Sequence, residues 1–271
     1  MTSAQWKGAT ALLTGASRGI GPYIARALAA EGIHLALSAT EASRDRLEQL
    51  CHSLKANGVT AVTLTADLAD PDQTAGLVRD AENALGRIDI LVNNAGVENS
   101  GNFTKIEEKR IRQVIDTNLN APLLLARLVL PAMIRRKQGA VIHIASMAGR
   151  IPMPTIATYS AAKAGLSAWT ESMASELEGS GVRVAAICPT FVAEAGMHAR
   201  TGVKAPWIAG EVPPQKVARC VVKALDGRPH DIRVTPLPTR PLLAFLELVP
   251  GLGPRLKRSL GLTAFMARRS G

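Results

Sequence analysis

Short apolar runs alternate with longer segments of helical period over the first 235 residues of the chain. Runs at 9–13, 33–38, 59–65, 88–92, 140–145 and 182–187 have the length of buried strands. A short seventh strand is predicted at 231–235. Between them, helical patterns cover 25–30, 43–56, 71–85, 107–136, a stretch ending near Gly179, and 214–225. Pro71 opens the third of these helices and Gly86 closes it. Strands and helices alternating at this spacing predict right-handed βαβ units: a doubly wound parallel sheet with helices on both faces, a three-layer αβα domain. No repeat, low-complexity tract or linker divides the chain, so one domain is expected over 1–235, with a C-terminal extension at 236–271.

In such a sheet ligands bind outside the carboxyl ends of the strands. Four polar or glycine-rich features fall at those ends. The first strand runs into T-G-A-S-R-G-I-G at 14–21, followed by a helix. Glycines there let the backbone approach a pyrophosphate, and the helix start supplies free N–H groups and a positive dipole end. Taken alone the glycines are ordinary turn residues. Asp67 follows the third strand, N-N-A-G at 93–96 the fourth, and Ser146 the fifth.

Ser146 stands thirteen residues before Tyr159, and Lys163 four residues after it. On a helix, positions i and i+4 share a face. A strand end and a helix face can thus aim a hydroxyl, a phenol and an ammonium at one point, which suits proton exchange with a carbonyl or alcohol oxygen. The separate readings are a capping serine, a core tyrosine and a solvated lysine. Asn118 lies inside the long helical region, where its side chain competes for backbone hydrogen bonds. It is either a tolerated exposed residue or the mark of a kink or ordered-water site, and Pro122 favours irregularity.

Composition narrows the partners. The chain is 47% hydrophobic and 20% charged, which excludes a disordered chain. Aromatics are only 3%, and there is no dense Lys/Arg run, so no nucleic-acid partner is expected despite a net charge of +10. Cys51, Cys188 and Cys220 are odd in number and lack metal-ligand spacing, so no metal is expected and the thiols read as reduced in a cytoplasmic setting. The first ten residues hold no secretory apolar segment, and the apolar run 242–249 is too short to span a bilayer.

Together T-G-A-S-R-G-I-G, Asp67, N-N-A-G, Asn118, Ser146 and Y-S-A-A-K at 159–163 resemble the short-chain dehydrogenase/reductase family, in its order and spacing over roughly the first two thirds of the chain. The resemblance implies a Rossmann fold, a nicotinamide cofactor and a homodimer or homotetramer. It implies Tyr159 as general acid/base, with its pKa lowered by Lys163 and the nicotinamide, and Lys163 also holding the nicotinamide ribose. Ser146 would hydrogen-bond the substrate oxygen, and Asn118 would hold a water in a proton path. The implied cofactor set is Gly15, Ser17, Arg18, Gly19, Ile20, Gly21, Thr40, Asp67, Leu68, Asn94, Ala95, Gly96, Tyr159, Lys163, Pro189, Thr190 and Val192. Asp67 would meet the adenine, its other reading being a turn or cap aspartate.

The acid that holds the ribose hydroxyls of NAD is missing after the second strand, where Ala39 and Thr40 stand. Arg18 occupies a position where NADP-preferring members carry a cation, so NADP(H) is expected, with NAD(H) left open by Glu41; Arg44 is a second cation or a solvated helix residue. Two positions depart from the family. Thr190 follows Pro189 where glycine is usual, and Glu194 stands where a threonine is usual. Threonine adopts positive φ less readily than glycine, which puts the nicotinamide contacts in question.

The substrate lid is expected at 193–212, with Met197, His198, Trp207 and Ile208, helped by Val97 and Phe103. The substrate reads as a hydrophobic carbonyl or secondary alcohol, including a 3-oxoacyl group. The alternatives are a broad alcohol or steroid dehydrogenase, and a non-catalytic NADP-binding sensor or scaffold. In the tail, basic and apolar residues alternate from Arg240. Such a segment either rests on an anionic membrane face or an acyl carrier, or packs on the body or a second subunit.

Overall fold

The computed structural model describes residues 4–206, 209–227, 229–236 and 240–270. Its strands are β1 (Thr10–Thr14), β2 (His34–Ala39), β3 (Ala61–Thr65), β4 (Ile90–Asn93), β5 (Gly139–Ile144), β6 (Val182–Pro189), the two-residue β7 (Phe191–Val192) and β8 (Glu211–Val212), and β9 (Asp231–Val234). The helices of the body are α1 (Gly21–Ala30), α2 (Arg44–Leu54), α3 (Pro71–Leu85), α4 (Glu108–Ile115), α5 (Ala121–Arg136), α6 (Ala157–Glu176), α7 (Gly196–Ala199) and α8 (Pro214–Ala224). Those of the tail are α9 (Arg240–Leu248), α10 (Gly253–Ser259) and α11 (Leu262–Ser270).

Seven strands form one parallel sheet in the order β3-β2-β1-β4-β5-β6-β9, the doubly wound arrangement that the alternating pattern predicts. The order reverses beside β1, so the crevice between the ends of β1 and β4 is the switch point where such sheets take ligands. Each face carries its own apolar core. Ile24 and Leu28 of α1, Leu47 of α2 and Val217 and Val221 of α8 pack on one face. Leu77 of α3 and Leu125, Val129 and Met133 of α5 pack on the other. Burial on both faces explains why the strands read as continuous apolar runs.

The long helical region is not one α-helix. A π turn, Asp116–Asn120, interrupts it between α4 and α5, and Ala121 N–H bonds back to the Asp116 carbonyl. The kink reading of Asn118 is the one that holds. By length and composition the segment Glu108–Arg136 is apolar enough to cross a membrane, but half of its apolar window is buried, as in a core helix packed on a sheet.

The tail folds back on the body. Leu246 of α9 joins Met147 and Ile151, and Phe265 and Met266 of α11, both fully buried, pack with Ile156. Each such side chain contributes about 1.5–3 kcal/mol on full burial. The interfacial-helix reading of α11 therefore fails, because an interfacial helix must turn its apolar face outward. Of the tail's apolar residues, Phe245, Leu248, Val249 and Leu252 remain exposed on α9 and the turn after it.

Candidate active site

Strand ends and loops surround one cavity of about 720 Å³. All the predicted catalytic and cofactor residues line it except Gly21 and Asn118. Gly15, Ser17, Arg18, Gly19 and Ile20 form one rim, Thr40, Asp67 and Leu68 the next, then Asn94, Ala95 and Gly96, and finally Pro189, Thr190 and Val192. Ser146, Tyr159 and Lys163 stand in the middle.

The glycine-rich turn is a tight cradle. A Cβ on Gly15 would lie 2.6 Å from the Ala95 Cα, and one on Gly21 would lie 2.3 Å from the Gly15 carbonyl oxygen. Gly21 thus supports the turn from beneath as the buried first residue of α1. Thr14 ties the switch point together. Its Oγ1 accepts from the Asn94 and Ala95 amides, both at 3.1 Å, while the Asn94 side chain donates to the carbonyls of Thr14 and Gly15, both at 2.9 Å. Asn94 therefore locks the end of β4 to the turn after β1. Asp67 holds its own turn by accepting from Ala69 N–H at 3.0 Å, with its side chain exposed at the rim.

At the outer rim, Arg44 clasps Glu41 with two hydrogen bonds of 2.6 and 2.9 Å. This neutralises the carboxylate nearest Thr40 and holds the Glu41 carboxyl down at about 2. Arg18 is exposed and, among the described residues, pairs with no carboxylate. A 2′-phosphate fits this rim: a free cation stands there, and the Glu41 carboxylate is already neutralised.

Ser146 ends the extension of β5 and caps a short 3-10 turn, its Oγ accepting from Ala148 N–H at 3.1 Å. The hydroxyl proton stays available for a second oxygen. Gly149 brings this loop onto α6: a Cβ there would lie 2.6 Å from the Lys163 carbonyl carbon. Helix α6 carries Tyr159 and Lys163 on one face, with the Lys163 ammonium 5.8 Å from the phenol ring centroid. Lys163 Nζ donates to the Ile144 carbonyl at 2.8 Å in a fully packed site, and burial lowers its pKa to about 8.

Burial pushes the Tyr159 phenol up, the Glu98 carboxylate adds to the rise, and a hydrogen bond from Ser146 and the Arg269 charge oppose it. Asn118 sits behind the cavity wall. Its Oδ1 accepts from Val97 N–H at 3.0 Å and its Nδ2 donates to Val97 O at 2.7 Å.

Other expectations shift as well. Thr190 needs no positive φ; the left-handed residue is Glu194, at φ 60° and exposed at the rim. The Thr190 hydroxyl is buried with no partner among the described residues, which leaves it free for a ligand's amide. Met197, His198 and Val97 line the cavity. His198 is buried, bonded through Nε2 to Glu211 at 2.9 Å and tilted against Phe191. Phe103 is 55% exposed and lies outside the cavity. Trp207 and Ile208 fall outside the described residues.

Sequence reasoning missed the tail's part in the site. Leu242, Leu246, Leu262 and Arg269 line the cavity with Ile151, Met153 and Ile156. No spacing rule joins residues so far apart along the chain. The only signal was their amphipathic alternation.

A doubly wound sheet with a glycine-rich cradle at its switch point, and a serine, tyrosine and lysine in the adjoining cavity, defines an oxidoreductase of the nicotinamide-dependent class. A family model for the short chain dehydrogenase matches residues 9–204. The chain belongs to the short-chain dehydrogenase/reductase family, whose enzymes act on C=O or CH–OH groups with NAD(P). It is 39% identical to ketoacyl reductase HetN of Nostoc sp. (strain PCC 7120) over 268 residues, covering 97% of this chain and 93% of that one. It is 37% identical to 3-oxoacyl-(acyl-carrier-protein) reductase FabG of Staphylococcus aureus over 183 residues, 68% of this chain and 74% of that one. Among solved structures, a metagenomic short-chain oxidoreductase in complex with NADP aligns with a TM-score of 0.74 at 32% identity, over 86% of this chain and all of that one. A single-substitution variant of actinorhodin polyketide ketoreductase with NADPH aligns with a TM-score of 0.77 at 28% identity, over 88% of this chain and 99% of that one.

Proposed function

We propose that the protein is an NADP(H)-dependent reductase of 3-oxoacyl-type carbonyls. The observation that carries this reading is the cavity itself: Ser146, Tyr159 and Lys163 share it with the glycine cradle on one side and with an apolar wall of Ile151, Met153, Leu242, Leu246 and Leu262 on the other. The wall suits an acyl chain, and relatives named as ketoacyl reductases point in the same direction.

The residues fit the cofactor. Glycines allow close backbone approach, Arg18 meets the 2′-phosphate, and Thr190 Oγ1 takes an otherwise absent partner at the nicotinamide end. When bound, the nicotinamide supplies the hydride that reduces the carbonyl carbon. Ser146 donates its hydroxyl hydrogen to the substrate oxygen and fixes its position. Tyr159 gives its phenolic proton to that oxygen as negative charge develops. Lys163, anchored on the Ile144 carbonyl, has two further N–H groups for the ribose and the phenolate. The π turn at Asn118 breaks the helical ladder and leaves backbone groups for a water that returns the proton. The reading includes a homodimer or homotetramer, checked by light scattering.

The test is NADPH and NADH oxidation over acyl thioesters, simple ketones and sterols. Turnover of 3-oxoacyl thioesters with NADPH, lost in Tyr159→Phe while NADPH binding persists, is the expected result. Full turnover by Tyr159→Phe would refute the assignment. Preference for sterols would favour the steroid dehydrogenase alternative, and no consumption over the panel would favour a sensor or scaffold.

A further inference from the structure

One charged group in the cavity has no part in the chemistry described so far. Arg269 lies in α11, its side chain 3% exposed, with its guanidinium 6.0 Å over the Phe191 ring. Its Nη2 donates to Glu98 Oε2 at 3.1 Å and lies 2.9 Å from Oε1 in an ion pair. Glu98 follows N-N-A-G-V in the loop after β4 and is itself steered by Arg110, whose Nη2 donates to the Glu98 carbonyl at 2.8 Å. The ion pair therefore joins two segments 171 residues apart.

Two features set this pair apart from an anchor. Arg269 Nε and Nη1 are buried and have no acceptor among the described residues. Unpartnered buried donors are destabilising, more so on a charged group. Anchoring of α11 is already provided by Phe265 and Met266. Arg269 and Glu98 also both line the cavity that holds Ser146, Tyr159 and Lys163.

We propose that Arg269 is a specificity-determining residue that receives a second substrate oxygen, the thioester carbonyl one methylene away from the reacting ketone. Glu98 is its positioning residue. The pair is neutral overall, so it favours an uncharged carbonyl over a free carboxylate. A simple ketone has no atom to place there. This inference rests on the ketoacyl reading above and adds the group that recognises the acyl half of the substrate.

The experiment compares a 3-oxoacyl thioester with a monoketone of matched chain length, both with NADPH, in the wild type, Arg269→Lys and the Glu98→Gln/Arg269→Met double variant. The double variant removes both charges together, so neither is left buried alone. Melting temperature and NADPH affinity report that each variant folds and keeps its cofactor site; the lysine variant, which retains the charge, serves if the double variant does not fold. Expected is a loss of about 10- to 100-fold in kcat/KM on the thioester for the double variant, partly restored by lysine, with the monoketone changed by less than about twofold. Equal losses on both substrates, or no loss on the thioester, overturn the inference and leave the ketoacyl reading standing. A wild-type enzyme that reduces the monoketone but not the thioester overturns both.

Discussion

Asn118 and the backbone of Val97 form a closed pair: the side-chain oxygen accepts at 3.0 Å and the side-chain amide donates at 2.7 Å. Gly96, next along the chain, lies so close that a Cβ would sit 2.8 Å from the Asn118 oxygen. The π turn is thus bolted to the loop that carries Gly96 and Glu98. Replacing Asn118 by alanine leaves the two backbone groups of half-buried Val97 unpaired, which costs up to about 1–3 kcal/mol each. Asn118→Ala should lower the urea midpoint and reduce kcat, with NADPH affinity falling less than turnover. An unchanged midpoint and kcat would show that the pair carries neither stability nor geometry.

Gly149 sets the distance between the Ser146 loop and α6. A methyl there meets the Lys163 carbonyl carbon at 2.6 Å and the Ala164 nitrogen at 2.7 Å, both backbone atoms that cannot swing aside. Gly149→Ala should push Ser146 away from Tyr159, lower kcat by about tenfold or more and lower the melting temperature by several degrees. Steady-state kinetics and calorimetry check this.

Arg18 is the cation left free at the outer rim, because Arg44 is engaged by Glu41. Arg18→Ala should weaken NADPH about tenfold or more and change NADH by less than about twofold, measured by nucleotide fluorescence titration. Equal weakening of both would place the cation on the pyrophosphate instead.

Lys163 has its pKa lowered from 10.5 to about 8 by burial. In the folded state the protonated form is therefore the disfavoured one. Between about pH 8 and 10.5 the unfolded chain binds more protons at this group than the folded chain, so its contribution to stability rises with pH. Urea midpoints of the free enzyme, compared with Lys163→Met across this window, should show that rise in the wild type alone.

Phe265 is completely buried among Ile156, Met153 and Phe191. Phe265→Ala should cost about 3–5 kcal/mol and loosen α11 over the cavity. A change below about 1 kcal/mol in chemical denaturation would mean that α11 is not packed as described.

The sequence alone carried the alternation of strands and helices, the parallel sheet and every ligand-facing strand end. Those features follow from local periodicity and from the rule that ligands gather at carboxyl strand ends. The tyrosine and lysine were legible because four residues on a helix define one face. The kink at Asn118 was legible because an amide is a poor helix-interior residue. Tertiary structure alone decided the direction of the Tyr159 shift, since burial and the charges of Glu98 and Arg269 come from three segments distant in the chain. It also decided where α11 packs. Alternating basic and apolar residues are the same pattern on a membrane-bound helix and on a helix docked to its own body, and only the apolar surface waiting around Ile156 and Phe191 selects between them.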